Sequence, residues 1–572
     1  MNDVVVLDFE APAPDASVPA RRTTAAAFSA AAFLASCGGG GDTAAPTPPP
    51  VGTAPAPPAP APAPAPQPIS LAEAARFTAQ ATLGASRSDI AAAQASGLSA
   101  WIDAQFALPQ SQSHYDWLVA RGYNDEKYRN TTTGLDNTIW RKLIASPDAL
   151  RQRVTLALSE ICVVSVLGVS TPWRQFAVAS YLDLLENNAL GNYRTLLGQI
   201  SLSTAMGYYL TFRGNAKANA TTGSQPDENY ARELMQLMTL GPYKLNADGT
   251  PQTAETYGPA DVSGLARVFT GWDLDAAGLA SPVPPDVHRR PMAQVASRYE
   301  TGAKTFLGAT IAAGASASAS LNTALDTLFA HPNLPPFLSR QLIQRLVTSN
   351  PSPAYVARVA TVFADNGAGV RGDMKAVVRA ILLDSEARDM ANAASPSFGK
   401  LREPVTRFLN WARAFGATSA GDTWAVNDLT DPATKLGQSP MRSPSVFNFF
   451  RPGYVPPNSA IAAGGLAAPE FQITTESSVA GYVNFMQNTV SGVGVGDVKT
   501  GYPTLLPLAA DSKALLDELN LVLAANQISP ATLATLASAL DSIAVGTDAG
   551  KLNRIRAALT LVLAAPEYIV QK

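Results

Sequence analysis

From Ser70 onward the apolar residues fall at the intervals of helix faces. "DALRQRVTLALSEICVVS" places Leu150, Val154, Leu156, Leu158 and Ile161 at mostly helical spacing and ends in a nearly continuous apolar run. "SLAEAARFTAQATLG" opens with Ser70 and Glu73, a capping box, and is expected to close on Gly84. "YLDLLENNALGNYRTLLGQI" predicts two helices broken at Gly191. "PPFLSRQLIQRLVTSN" and "PAYVARVATVFADNG" begin near prolines, and the second stops at Asn-Gly. "RGDMKAVVRAILLDSEA", "SKALLDELNLVLAAN" and "LNRIRAALTLVLAAPEYIVQ" repeat the style. Strand signals are few, and the aromatic, Pro-rich "VFNFFRPGYVPPNS" reads as a loop packed on the core. The pattern predicts a mainly α, large multi-helix globular body over residues 70–572. Two stretches rich in small residues and proline, near 275–330 and 418–445, read as seams within one unit, with lobes at 70–275 and 300–572.

Ahead of Ser70 the pattern is different. A polar leader ends at Arg21-Arg22, and the apolar stretch "TTAAAFSAAAFLAS" follows. It is about a dozen residues long, too short for a hydrocarbon core of roughly 30 Å but right for a signal segment. Leu34-Ala35-Ser36-Cys37 resembles a bacterial lipobox, so residues 1–36 read as a lipoprotein signal peptide and Cys37 as the lipidation site. The twin arginines lack the rest of a Tat motif, so Sec and Tat export both stay open. Residues 37–69 form a Gly/Pro/Ala-rich tether that cannot build a core and favours polyproline II. At ~3.1 Å per residue it reaches up to roughly 90 Å. Gly38, rather than Asp, after the cysteine favours an outer-membrane over a retained inner-membrane anchor. The expected setting is therefore exported: outer membrane or periplasm, anchored through lipid.

Composition narrows the chemistry. Hydrophobic residues make up 47% of the chain and charged residues 15%, which a folded body requires. A net charge of −3 gives no reason to expect nucleic acid as partner. Two distant cysteines supply no disulfide framework, and Cys162 in its apolar run reads as a buried free thiol. The three histidines, His114, His288 and His331, show no ligand spacing, so no metal is expected and no cofactor can be named. His288, beside Arg289 and Arg290, is expected at the surface. There is no G-x-S-x-G elbow, Walker loop, Rossmann fingerprint, CxxC or HExxH.

The densest candidate chemistry is "PDENYARELMQLMTLG", residues 226–241. Ser224 or Asp227 is placed to cap this helix and Gly241 to end it, with Tyr230, Leu234, Leu237 and Met238 on a core face. Glu228 and Arg232 are spaced to pair, as are Asn229 and Glu233. Glu233 lies deeper among apolar residues, where burial raises a carboxyl pKa, so it is the better acid. Asp261 opens the next helix, and Arg267 and Trp272 follow. One reading gathers Glu228, Glu233 and Asp261 around a cleft for glycoside hydrolysis or, more weakly, a hard cation. The other makes Arg232, Glu233 and Arg267 an internal ion network between packed helices. Phe447, Phe449, Phe450 and Tyr454 offer a stacking surface or a packed aromatic loop, and Arg402-Glu403 a further part of an ion network.

Several motifs together, "RFTAQATLG", "LRQRVTLALSEICVVS", "PDENYARELMQLMTLG", "VSGLARVFTGW", "KTFLG", "FLSRQLIQRLVTSNPSPAYVARV", "GKLREPV", "SVFNFFRPGY" and "APEFQI", resemble the bacterial exported domain-of-unknown-function 1800 family. The resemblance implies a largely helical exported body and, as partner, an exported protein of a second unknown-function family, numbered 1501; it implies no activity. It also implies a His before "KTFLG", where this chain has Tyr299-Glu300. The leading expectation is a cell-envelope binding or assembly factor. The competing one is an envelope hydrolase using the Glu/Asp cluster.

Overall fold

The computed structural model describes residues 69–572. The expected signal segment, Cys37 and most of the tether lie outside the described residues. Helices dominate, as the periodicity predicts, and among the described residues each of the five sheets has only two short strands.

The first helices are α1 (Leu71–Ala81), α2 (Arg87–Ser96), α3 (Leu98–Ala107), α4 (His114–Ala120), α5 (Leu135–Ala145) and α6 (Ala149–Ser159). Ser70 and Glu73 form the expected reciprocal cap on α1. Gly84 does not close that helix, which stops at Ala81. Its φ of +142° and a backbone contact with Asn410, whose Cα would lie 2.7 Å from an added Cβ, explain the glycine instead. Next come α7 (Arg174–Asn188) and α8 (Tyr193–Ile200), separated at Gly191 as predicted, then α9 (Thr204–Tyr209). α7 is buried on nearly every side and packs against α4, α5, α6, α8 and α9. It is the axle of the amino-terminal half.

Further on lie α10 (Asn229–Glu233), α11 (Pro259–Ala266), α12 (Ala317–Ala330), α13 (Leu334–Leu346), α14 (Pro353–Ala364) and α15 (Met374–Leu383). The acid-rich helix is shorter than its sequence suggests. After Glu233 it widens into a π-helical turn, Leu234–Thr239, in which Thr239 Oγ1 donates to the Leu234 carbonyl at 2.6 Å. Gly241 follows with φ +73°. α11 sits directly on the hairpin Lys304–Phe306/Ala309–Ile311. A Cβ on Gly264 would lie 1.8 Å from the Thr305 carbonyl oxygen, so only glycine admits this approach. Within the stretch read as a seam, Val287, Met292, Tyr299 and Phe306 are buried.

The helices Pro404–Ala414, Glu476–Val490, Ser512–Ala524, Pro530–Asp541 and Asp548–Ala564 complete the body. Val570–Gln571 pairs antiparallel with Lys400–Leu401, and the Gln571 side chain donates to the Leu346 carbonyl at 2.8 Å. One continuous apolar core runs from Ala74 to Tyr568. Cys162 is a buried free thiol in it, pushed up to about 12 by burial. No helix among the described residues is long and apolar enough to cross a membrane.

Candidate functional site

The acids read from sequence end in three different environments. Glu228 precedes α10, pairs with Arg232 at 3.0 Å and accepts a hydrogen bond from Ser263 on α11. Both are well exposed, so the pair is a weak surface contact. Asp227 accepts the Asn229 backbone N–H at 2.8 Å but is not the cap: Glu228 occupies that position, and neither Ser224 nor Asp227 caps the helix as expected. Asn229 does not bond Glu233; its amide turns to Thr211 Oγ1 at 3.3 Å. Asp261 is consumed by backbone: one oxygen takes the Gly258 N–H at 2.9 Å, the other the Leu307 N–H at 2.6 Å. It caps its own helix and pins the hairpin beside it. Glu233 is buried, with Oε2 unpartnered, and burial raises its pKa while Arg232 opposes the rise. Arg267 pairs with Glu300 at 3.5 Å rather than with Glu233, and Trp272 is buried with its indole N–H on the Val268 carbonyl. Tyr299, where the resemblance implies His, is a buried strut whose hydroxyl lies 2.6 Å from Ser320 Oγ.

An internal ion network does exist, built not on Arg232, Glu233 and Arg267 but around Glu403, which the sequence offers as a member; its neighbour Arg402 instead donates to the Leu523 carbonyl at 2.9 Å. Lys400 reaches Glu470 at 3.0 Å and Glu403 at 3.7 Å, and Arg345 reaches Glu160 at 3.3 Å. Gln438 donates to Glu403 at 2.7 Å. All of these side chains are buried. Burial, and then Glu403 beside it, push the Glu160 carboxyl well up; Glu403, which burial alone would raise, is held low by Lys400 and Arg153. The motifs "LRQRVTLALSEICVVS", "FLSRQLIQRLVTSN", "GKLREPV" and "APEFQI" therefore meet in space. Phe449 and Asn448 of "SVFNFFRPGY" line a void of about 20 Å³ against Glu160 and Glu403. That is too small for a stacked sugar. Phe450 is buried, Tyr454 is half-buried with its carbonyl on the Ala468 N–H, and Phe447 lies under the Arg451 guanidinium at 4.7 Å.

A second cluster of buried charge opens onto real space. α5 and α7 bring Lys142, Asp183 and Glu186 together in the lining of a cavity of about 620 Å³, and α4 sets His114 behind them, within reach of Asp183 and Glu186. α7 presents Ser180, Asp183, Leu184 and Asn187 along one face, at the three- and four-residue spacing of a helix, with the buried Glu186 beside them in the lining. Lys142 Nζ lies 2.5 Å from Glu186 Oε2, and both side chains are only 1% exposed, so the pair is fully desolvated. Glu186 Oε1 has no hydrogen-bond partner. Asp183 accepts the backbone N–H groups of His114 and Tyr115 at 2.7 and 3.0 Å, fixing the start of α4. Burial nevertheless pushes Asp183 up to about 6. His114 stands 4.0 Å from Glu186 with Nδ1 on Thr138 Oγ1, and burial, with Lys142 and Arg141 nearby, drives its pKa well down, so the ring is neutral.

His114, Asp183 and Glu186 each offer an atom within 4.8 Å of the others, a spacing a cation can bridge. The Lys142 ammonium already lies against Glu186, and both Asp183 oxygens hold backbone N–H groups. The set is thus completed by an ammonium and fits a divalent ion poorly. His288 lines the same cavity and is buried, not exposed as expected. Its ring is satisfied on both sides, by Thr204 Oγ1 at 3.1 Å and the Pro172 carbonyl at 3.0 Å, and burial lowers its pKa to about 4. None of these residues stands out by local spacing. The available signal was Asp183 and Glu186, two acids three residues apart in the apolar stretch "YLDLLE".

Comparison with curated proteins and with solved structures returns no match. The family model described as "Protein of unknown function (DUF1800)" matches residues 76–570, nearly the whole helical body, and the chain belongs to that family.

Proposed function

We propose that this chain is a lipid-anchored binding or assembly factor of the bacterial cell envelope, and that the cavity beside α7 holds its ligand. One observation carries the binding reading: Glu186 Oε1, buried and without a partner, on the floor of a cavity of about 620 Å³. An unmet buried acceptor costs about 1–3 kcal/mol, and a ligand donor entering the cavity removes that cost. Hydrolysis by Glu228, Glu233 and Asp261 is less well supported, because Asp261 is held by two backbone N–H groups and Glu228 by Arg232 and Ser263. Only Glu233 keeps an unmet oxygen that favours the hydrolase. The anchored location rests on Cys37 and the tether after it. The partner expected through the family resemblance is another exported protein.

The test is fractionation of cells fed labelled palmitate, comparing the natural chain with Cys37→Ala, with affinity capture from the native envelope. Label on the natural chain in the outer-membrane fraction, lost in the variant, and co-capture of an exported protein are expected. An unacylated, uncleaved chain in the cytosol overturns the proposal.

A further inference from the structure

Resting on that binding reading, we infer that the cavity recognises a protonated amine, seated against Glu186 and Asp183. The argument begins with charge. The floor holds two carboxylates, Asp183 and Glu186, and one ammonium, Lys142, while His114 is neutral. Lys142 is paired at contact distance with Glu186 alone; Asp183 has no cation in contact, only the more distant Arg141 and two backbone N–H groups. The unmet groups point the same way. Glu186 Oε1 is an acceptor without a donor, and Ser180 Oγ on the same helix also lacks a partner. A ligand bringing N–H donors and positive charge satisfies both deficits.

The rim argues against the opposite choice. Arg289 and Arg290 border the cavity, as an anion clamp would require. Yet Arg289 pairs with Asp116 at 3.0 Å and lies over the Tyr115 ring, and Arg290 pairs with Asp275 at 3.6 Å and donates to the Ala277 carbonyl. Both arginines are thus engaged away from the Glu186 end of the cavity, each with an acid outside its lining. The walls, from Leu184, Leu202, Leu321, Leu325 and Pro291, suit the carbon frame of the ligand. A volume of about 620 Å³ is of the size that takes a disaccharide or a short peptide. The shared chemistry is therefore a primary amine on a compact carbon body, as in a de-acetylated amino sugar or a lysine side chain.

The experiment is calorimetry on the full chain in detergent with two matched pairs of probes. The first is a glucosamine dimer with free amines against its N,N′-diacetyl form. The second is an Ala-Lys-Ala peptide against its Nε-acetyl form. In at least one pair the free amine is expected to bind ten or more times tighter than its acetylated twin, and Glu186→Gln to erase the difference. Which pair responds tells sugar from peptide. Equal binding of the twins, or a preference that survives Glu186→Gln, overturns the inference. Should Glu186→Gln fail to fold, Asp183→Asn reads the same loss, since its amide oxygen still accepts a backbone N–H.

A blocking variant at the exposed rim, Asn187→Trp, separates the two levels of the argument. If no probe binds, but neutral or acidic small molecules raise the melting temperature of the natural chain and not of Asn187→Trp, the amine assignment falls and the binding cavity stands. If no compound of any class responds to Asn187→Trp, both fall.

Discussion

Two places in this protein bury charge, and they differ in what lies beside the charge. Around Lys400, three glutamates and their cations close on one another, and the adjoining void measures about 20 Å³. Around Lys142, a shorter chain of charges faces a cavity of about 620 Å³ and leaves Glu186 Oε1 unmet. Atoms without a hydrogen bond occur in both: Glu160 Oε2 and Glu403 Oε1 of the sealed network have only an ion-pair contact, and Glu470 Oε2 has no donor. Room is what separates them. A buried charge marks a place for chemistry when something from outside can reach it; otherwise it is a costly fastening between segments. The acid-bearing stretch that stands out in sequence, residues 226–241, belongs to neither place.

The largest expected effect is in the sealed network. Lys400→Met leaves Glu403 and Glu470 buried without their shared cation and is expected to cost roughly 3–5 kcal/mol, measured by urea denaturation. A loss under about 1 kcal/mol would mean that the network is not holding the motifs together. The next effect belongs to the cavity wall and depends on pH. His288 has its pKa lowered to about 4 by burial, against an ordinary 6.5, so the folded state favours the neutral ring. Its contribution is full above pH 6.5 and is lost as pH falls towards 4, with a ceiling of about 3 kcal/mol at 1.36 kcal/mol per unit. Asp183, raised to about 6, acts with the opposite sign: its contribution is present at low pH and lost as pH rises through about 6. Thermal melts from pH 8 to 4 on the natural chain and His288→Gln isolate the histidine as the difference between the two curves. A variant curve parallel to the natural one removes His288 from the account. The smallest effect is expected at Glu233→Gln, within about 1 kcal/mol, because Glu233 has no hydrogen-bonding partner to lose. If a folded Glu233→Gln protein instead loses a measurable envelope-glycan cleavage, the hydrolase reading returns and the comparison gains a third place.

What could be read in the sequence was local. Ser70 with Glu73, the break at Gly191 and the buried Cys162 all follow from contacts within a few residues, or from simple burial of an apolar run. The aromatic loop was legible too: Phe450 is buried as a packed loop requires. The cavity floor and His114 behind it were not. His114, Lys142, Asp183 and Glu186 come from three helices, and only the packing of α7 against α4 and α5 brings them together. His288 was misjudged for a related reason. Its charged neighbours, Arg289 and Arg290, suggest solvent, while the groups that satisfy its ring, Thr204 and Pro172, are distant in sequence. The network expected among Arg232, Glu233 and Arg267 was right in kind and wrong in place. Pairing is a general need of buried charge, but its address is a tertiary fact.

The pairing of Val570–Gln571 with Lys400–Leu401 also bears on the order of synthesis. A ribosome delivers Lys400 long before its strand partner, so the nascent chain must wait with that segment uncovered until residue 571 has emerged. Folding of this region is therefore a late event, completed after most of the polypeptide has been made, and truncation before residue 570 strikes the middle of the protein as much as its tail.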